Sequence, residues 1–426
     1  MVASTDIKFY VHTNNSAPQL TNNFGCMLNV LDAALINGIQ VGTVSSLTAS
    51  GKVVTAVFGT AHNLMQYQVI KIAGANQAEY NVEARILTVP NATTITFELA
   101  AVPSVATATG TINCSLPPLG WEKPFSSTSA TGGKGAYRSK NTLLTSRPFL
   151  RVVDELDPAY NASYAKYAKV GIVEDMTDID TMLGVQAPYD SVNPGKNWVG
   201  TGSGTSVING WARWYYARGS SLSNTYDTAA ITGGNRNWLL IGNADYFYIM
   251  PCFHTGKSPA NPYGFGSFER YYDDDLSNTF LSASIKNTPS GNFEQIGKLS
   301  GISSNNNYNS LLFKPIEQTG DYATANAAYS INSALHYSGC TVYLKGASDK
   351  VPLYPIILEE HSVKYSGGNL KTGRGGLPGI YALAQYRPLN DFQIFRRGSS
   401  AFIARYSTID DNNADFGELV LKIGDL

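Results

Sequence analysis

Charge is scarce in this chain of 426 residues. Lysine and arginine number 31 and aspartate and glutamate 32, so 15% of positions are charged and the net charge is −1, where globular chains usually carry about a quarter. A surface with no net positive field does not steer toward nucleic acid or anionic lipid, and duplex DNA is excluded as a primary ligand. Cysteine is equally sparse. Cys26, Cys114, Cys252 and Cys340 lie far apart with no CxxC pair, which excludes a zinc ribbon and a compact disulfide framework. Four buried free thiols in a reducing cytoplasm are expected instead. No apolar run approaches the ~20 residues of a membrane-spanning helix. The first residues, MVASTDIKFY, lack a basic stretch followed by an apolar one, so no export signal is expected.

Glycine is abundant at 40 residues and tyrosine at 26, and asparagine, serine and threonine supply the polarity. β-Branched and aromatic residues punctuated by glycine and asparagine point to a mainly β chain with many turns. Residues 6–12 alternate as a short strand with Ile7, Phe9 and Val11 on one side. NNFGCMLNVLDAALINGI is the one convincing helical stretch near the start. Its apolar residues Met27, Leu28, Leu31, Ala34 and Leu35 recur at helical spacing, Asn22 or Asn23 is the expected N-cap, and Asn37-Gly38 the expected end.

From Val41 to Leu116 the period is two. Val54, Ala56 and Phe58 form one face of a strand, Ile95, Phe97 and Leu99 another, and Ile112, Cys114 and Leu116 a third. Five to seven short strands at this spacing predict a small sandwich or barrel. His62 lies in a connection between strands with no acid, cysteine or second histidine beside it, so it is expected to hydrogen-bond nearby backbone. Beyond Pro117 strands dominate, among them FLRVVDE, YAKVGIVED, GWARWYYAR and the hairpin-like NWLLIGNADYFYIM turning at Asn243-Ala244-Asp245. The expected fold is a large β-sandwich carrying an inserted small β-domain and one short N-terminal helix. Its divisions are residues 1–40 (strand and helix, part of the main domain), 41–116 (the insertion) and 117–426 (the main domain).

Nothing in the sequence assembles into a catalytic constellation, and no cofactor is expected. Asp273 and Asp275 could contribute oxygen to a cation, but Asp273-Asp274-Asp275 lacks the Asp-x-Asp-x-Asp-Gly spacing of a calcium loop and suits an acidic turn. Adjacent Glu359 and Glu360 point to opposite faces of a strand and cannot share one site. The glycine run 200–204 and KTGRGG (residues 371–376) lack the strand–loop–helix context of a phosphate cradle. Lys371 and Arg374 are assigned instead to a flexible basic loop that docks on a neighbour. The clusters Trp211, Trp214, Tyr215, Tyr216 and Tyr246, Phe247, Tyr248 have three readings: core, subunit interface or glycan platform. Tyrosine and tryptophan join an apolar face to a polar edge.

Two stretches resemble known proteins. Ala61, His62, Leu64, Ile72, Gly74, Ala75, Tyr80, Asn81, Thr93, Thr94, Thr96 and Phe97 follow the pattern of a small β-module common in virion proteins of tailed bacteriophages. The flanks resemble a phage virion structural protein family whose members carry no assigned chemistry. The matching segments are TDIKFYVHTNNSAPQL, LDAALINGI, PLGWEKPFS, AYRS, FLRVVDE, YAKVGIVEDMTDIDT and NWLLIGNADYFYIMP. The resemblance implies a structural, non-enzymatic part of a virion, in the tail, baseplate or collar, assembled in the bacterial cytoplasm. Its implied partners are copies of itself and other virion proteins, without nucleic acid or membrane insertion. A tail-tip module binding a receptor or host surface glycan, and a capsid-decorating role, are the alternatives.

Overall fold

A computed structural model describes residues 3–219, 227–252, 254–255, 260–273, 277–286, 294–295, 311–313, 323–328, 353–362, 370–383, 389–408 and 416–426. The chain is mainly β, with several sheets and one short helix. Among the described residues the strands form a 13-stranded sheet, an 8-stranded sheet and a closed barrel.

The barrel has six strands, Ile39–Ser50, Val53–Phe58, Val69–Ala75, Glu83–Asn91, Thr94–Glu98 and Gly110–Leu116. Val54, Ala56, Phe58, Ile95, Phe97, Ile112, Cys114 and Leu116 are buried inside it, as period-two patterning requires when one face meets a core and the other meets water. Closure leaves no unpaired strand edge. Entry and exit lie side by side, because Ile39 pairs with Leu116.

The barrel docks on the body through polar groups. Gln68, fully buried, exchanges amide hydrogen bonds of 2.9 and 3.0 Å with Asn14 and donates another to Phe9 O. Arg85 donates to the carbonyls of Ser4, Tyr67 and Ile7 at 2.7, 2.8 and 3.0 Å. A buried cation satisfied by three carbonyls replaces water it has lost.

The body is layered, and the middle layer explains the longest apolar stretch of the sequence. Trp238–Gly242 and Tyr246–Pro251 pair as the expected hairpin, with Asn243 Oδ1 accepting from the N–H groups of Asp245 and Tyr246 in the turn. Every residue of both strands is buried, so both faces must be covered. Leu240, Phe247 and Ile249 face the 8-stranded sheet and share a core with Leu150, Val152, Val170, Trp214 and Tyr216. Leu239, Ile241, Tyr246, Tyr248 and Met250 face the opposite way, onto Ile356, Leu358, Ile380, Ile403 and Leu421. Those last residues belong to the second half of the same large sheet, which folds back over its first half. The N-terminal strand Lys8–Val11 pairs with Trp238–Gly242.

The helix Cys26–Leu31 continues as a π-helical turn, Asp32–Asn37, and stops at Gly38 (φ 76°). Its start differs from the sequence expectation. Gly25 is the N-cap, with no side-chain cap of its own, and Asp154 reaches in from the 8-stranded sheet so that its Oδ2 accepts from Met27 N–H at 2.9 Å. A carboxylate distant in sequence satisfies donors that Asn22 and Asn23 leave free.

Other expectations change as well. The stretch SSTSATGGKG, whose serines and glycines suit an exposed loop, forms a hairpin between Trp121–Ser129 and Gly132–Ser139. KTGRGG is no loop either; it lies in the strand Leu370–Leu383. Cys26 is partly exposed, while Cys114 and Cys252 are buried. Cys340 lies outside the described residues. None of the helices among the described residues is long and apolar enough to cross a membrane.

Candidate ligand-binding surface

The aromatic clusters singled out in the sequence are mostly core. Trp214, Tyr215, Tyr216, Tyr246 and Tyr248 are all at least 92% buried. Trp214 donates its indole N–H to Ser282 O and stacks on Tyr263 at 5.9 Å. Tyr216 donates to Asp154 Oδ1 at 2.7 Å. Tyr246 and Tyr248 fill the second core, where burial pushes both phenols up in pKa. Within the folded chain these five present no platform to a sugar or a neighbour. Trp211 is partly exposed and lies 4.2 Å from the Lys196 ammonium.

Arg374 is buried, its guanidinium 5.7 Å from the Phe268 ring, so the docking-loop assignment does not hold. Lys371 lies in the same strand as Arg374 and is paired in register with His361 of the adjacent strand Leu353–Ser362. Loops rich in glycine and strands rich in glycine look alike in sequence. Here the glycines admit a close neighbour, because a Cβ on Gly375 would come 2.2 Å from Glu269 O and 2.6 Å from Phe268 Cδ2. Asp273 is an exposed turn residue, and Asp275 lies outside the described residues. No group of three metal-ligating side chains occurs among the described residues.

His62 is a corner residue. Its Nδ1 accepts from Leu64 N–H at 2.9 Å, which puts the ring proton on Nε2 facing Asn91 O at 3.2 Å. Burial lowers its pKa against the raising effect of the carbonyl contacts. The buried ions of the 8-stranded sheet are occupied in the same structural way. Lys169 donates to Asp157, Trp198 O and Asn209 at 3.0, 2.6 and 3.1 Å, and Asp157 also accepts from Gly200 N–H. This network closes a loop over the sheet.

One exposed aromatic segment lies outside these cores. It lies where the strand Tyr263–Ser267 ends, and sequence reasoning missed it. Past Phe268 the chain forms an exposed ridge, Glu269 to Asp273, on which Tyr271 is 56% and Tyr272 40% exposed. The ridge is fixed at its base. Phe268 N–H donates to Asn278 O at 2.8 Å, and Asn278 Nδ2 donates back to Phe268 O at 2.9 Å. Glu269 and Arg270 pair with Gly376 and Gly375, and Tyr271 N–H donates to Arg374 O. The Tyr271 ring lies over this glycine floor, 3.7 Å from where a Cβ on Gly373 would sit.

By the base of the ridge is a narrow cleft, with room for about one water molecule, lined by Trp121, Leu144, Arg147, Asp245, Phe265 and Thr279, among others. Thr145 Oγ1 donates to Asn278 Oδ1 at 3.2 Å, tying the cleft's outer loop to the base of the ridge. Arg147 spends Nε and Nη2 on Ser139 O and Glu122, leaving Nη1 without a protein partner. Asp245 Oδ1 accepts from Asn141 Nδ2 at 2.7 Å. Thr279 is 4% exposed, and its buried Oγ1 has no hydrogen-bond partner.

The comparisons with known proteins add little. No known protein family matches the chain, and no curated protein does. Among solved structures the chain is similar to one titled "Phage phi92 endosialidase", at 10% identity and a TM-score of 0.16, over 91% of this chain and 52% of that one. The chain spans about half the length of that structure. So low a score carries no argument about fold or activity.

The cleft could not be found in the sequence, since its lining comes from five separated segments. The ridge had a signal in its local polarity: Tyr271 and Tyr272 are flanked by Glu269, Arg270 and Asp273.

Proposed function

We propose that this chain is a structural component of a tailed-phage virion, placed in the tail, baseplate or collar and acting through assembly contacts with copies of itself and other virion proteins. The observation that carries the reading is the resemblance of TDIKFYVHTNNSAPQL, YAKVGIVEDMTDIDT and NWLLIGNADYFYIMP to a virion structural family. The architecture is compatible with it. Those segments supply the N-terminal strand, a central strand of the 8-stranded sheet and the doubly covered hairpin, the parts on which the body is built. The module-like stretch forms the barrel. Symmetric homo-oligomers are the common form of such parts. Exposed apolar side chains are available for contacts, among them Val53, Val102 and Val105 of the barrel and Val192 and Val199 of the 8-stranded sheet's outer loops.

Peptide mass spectrometry of density-purified, salt-washed particles from the phage encoding this chain tests the reading. The chain is expected among the particle proteins at an abundance that is a multiple of the particle's symmetry. Its absence from washed particles, with abundance in the infected-cell lysate, would refute the reading.

A further inference from the structure

We infer that Lys169 and Asn209 are set to form an isopeptide bond, an amide from Nζ to Cγ made with loss of ammonia, with Asp157 carrying the protons. The three side chains sit together in the interior, Lys169 at 3%, Asn209 at 2% and Asp157 at 6% exposure. Lys169 Nζ lies 3.0 Å from Asp157 Oδ2 and 3.1 Å from Asn209 Oδ1, so nucleophile, base and amide meet at one atom. Two glycines bring the parts this close. A Cβ on Gly210 (φ 78°) would come 2.8 Å from Lys169 Cγ, so the lysine stem lies against the backbone beside Asn209. A Cβ on Gly200 would come 2.5 Å from Asp157 Oδ1, and Gly200 N–H donates to Asp157 Oδ2 at 2.7 Å. Asn209 Nδ2, the atom that must leave, has no hydrogen-bond partner among the described residues. Lys166, the other buried lysine among the described residues, donates only to the carbonyls of Ala162 and Tyr164 and reaches no amide side chain.

The chemistry balances within these side chains. As an ammonium, Lys169 cannot attack, so one proton first crosses to Asp157 Oδ2 along their hydrogen bond. Burial lowers the Lys169 pKa and so favours the free amine. Burial also pushes Asp157 up, but Lys169 and the N–H groups of Ala159 and Gly200 outweigh it and hold that carboxyl below its ordinary range. The amine then adds to Asn209 Cγ; the Nζ–Cγ bond forms and the Cγ–Nδ2 bond breaks. Of the three protons on Nζ, one stays on the new amide and two pass to Nδ2 with Asp157 as relay. Ammonium leaves, the carboxylate is restored, and nothing is oxidised or reduced. Holding the reacting groups side by side supplies the effective concentration that such an amide exchange lacks in free solution. The bond ties the strand Lys166–Met176 to the residues that lead into Ala212–Ala217 and closes residues 169–209 into a covalent ring. Such a ring restricts the unfolded chain as a disulfide does, and unlike a disulfide it persists in a reducing cytoplasm.

The test is the intact mass of the purified full-length chain under denaturing conditions, followed by peptide sequencing of its tryptic digest. The wild-type chain is expected to be lighter than its sequence by one ammonia and to yield a branched peptide joining Lys169 to Asn209. Lys169→Arg, Asn209→Ala and Asp157→Asn should each keep the full mass of their sequence, with circular dichroism reporting whether each is folded. The wild-type mass and branched peptide decide the matter even where a variant fails to fold. A succinimide at Asn209-Gly210 loses the same mass, but it needs no lysine and so persists in Lys169→Arg. A wild-type chain at full mass after prolonged incubation in its native state would overturn the assignment. So would ammonia loss retained in Lys169→Arg, the branched peptide retained in Asp157→Asn, or a branch from Lys169 to Asp157 formed with loss of water.

Discussion

Asp154 is the side chain on which most elements converge. It is fully buried, accepts from Met27 N–H at the start of the helix and from the Tyr216 hydroxyl, and extends from the strand Phe149–Glu155. Burial pushes its pKa up to about 6, against the lowering effect of Tyr216 and of the helix N–H groups. A carboxyl whose folded pKa exceeds its unfolded value contributes stability at low pH that is lost as pH rises through the folded pKa. From about pH 4 to pH 6 the native state holds a proton that the unfolded chain has released. Relative to an Asp154→Asn chain, which cannot titrate, wild-type stability should fall by roughly 3 kcal/mol across that window. Urea denaturation of both chains at pH 4, 5, 6 and 7 checks this; a pH-independent difference would show that Asp154 is ionised throughout. His62 acts in the opposite sense. Its pKa is lowered by burial, so its contribution is present above the unfolded value and is lost as pH falls below it.

At the scale of elements, glycine decides where strands approach one another. Gly375 allows the strand Glu269–Arg270 to lie against Leu370–Leu383, because any side chain would collide with Glu269 O and the Phe268 ring. Gly375→Val should therefore detach the ridge and cost about 1–3 kcal/mol, the range for overpacking a buried site. Protection of the Tyr271 amide from hydrogen exchange should fall with it; unchanged protection would mean that the ridge is held some other way. The same chemistry limited what could be read from the sequence. Period-two patterning identified the barrel strands because water covers one face and a core the other. The doubly buried strand Tyr246–Pro251 has no such contrast, and its tyrosines could not be assigned to core or surface without knowing that a third layer lies behind them. KTGRGG looked like a loop because glycine freedom and glycine slenderness are written with the same letter. The helix cap was hidden for another reason, since it comes from Asp154, 127 residues after Met27.

At the scale of the molecule, the barrel is closed by its own strands, with adjacent entry and exit; it is attached by polar groups, by Tyr67, whose side chain joins Phe9 and Val11 in a body core, and by an apolar cluster that its interior shares with body residues such as Tyr10, Leu35 and Trp121. Excision of residues 41–116 with a short bridging linker should leave the body folded though less stable, because Phe9 and Val11 lose a neighbour. An unfolded product by circular dichroism would mean that the barrel is integral to the body. In the intact chain, Arg85→Met removes two charge-assisted hydrogen bonds that cross to the body, to Ser4 O and Ile7 O, and one within the barrel, to Tyr67 O. With hydrogen bonds to charged groups worth about 1.5–3 kcal/mol each, it should destabilise the attachment by several kcal/mol. A calorimetric scan should then show barrel and body melting separately; one unchanged transition would place the attachment elsewhere. The central claim is that this architecture serves assembly in a virion, and a cryo-electron microscopy map of the intact particle tests it most directly. The account predicts symmetry-related copies of the layered body and its six-stranded barrel in the tail, baseplate or collar. A fully traced particle with no density for either would contradict it.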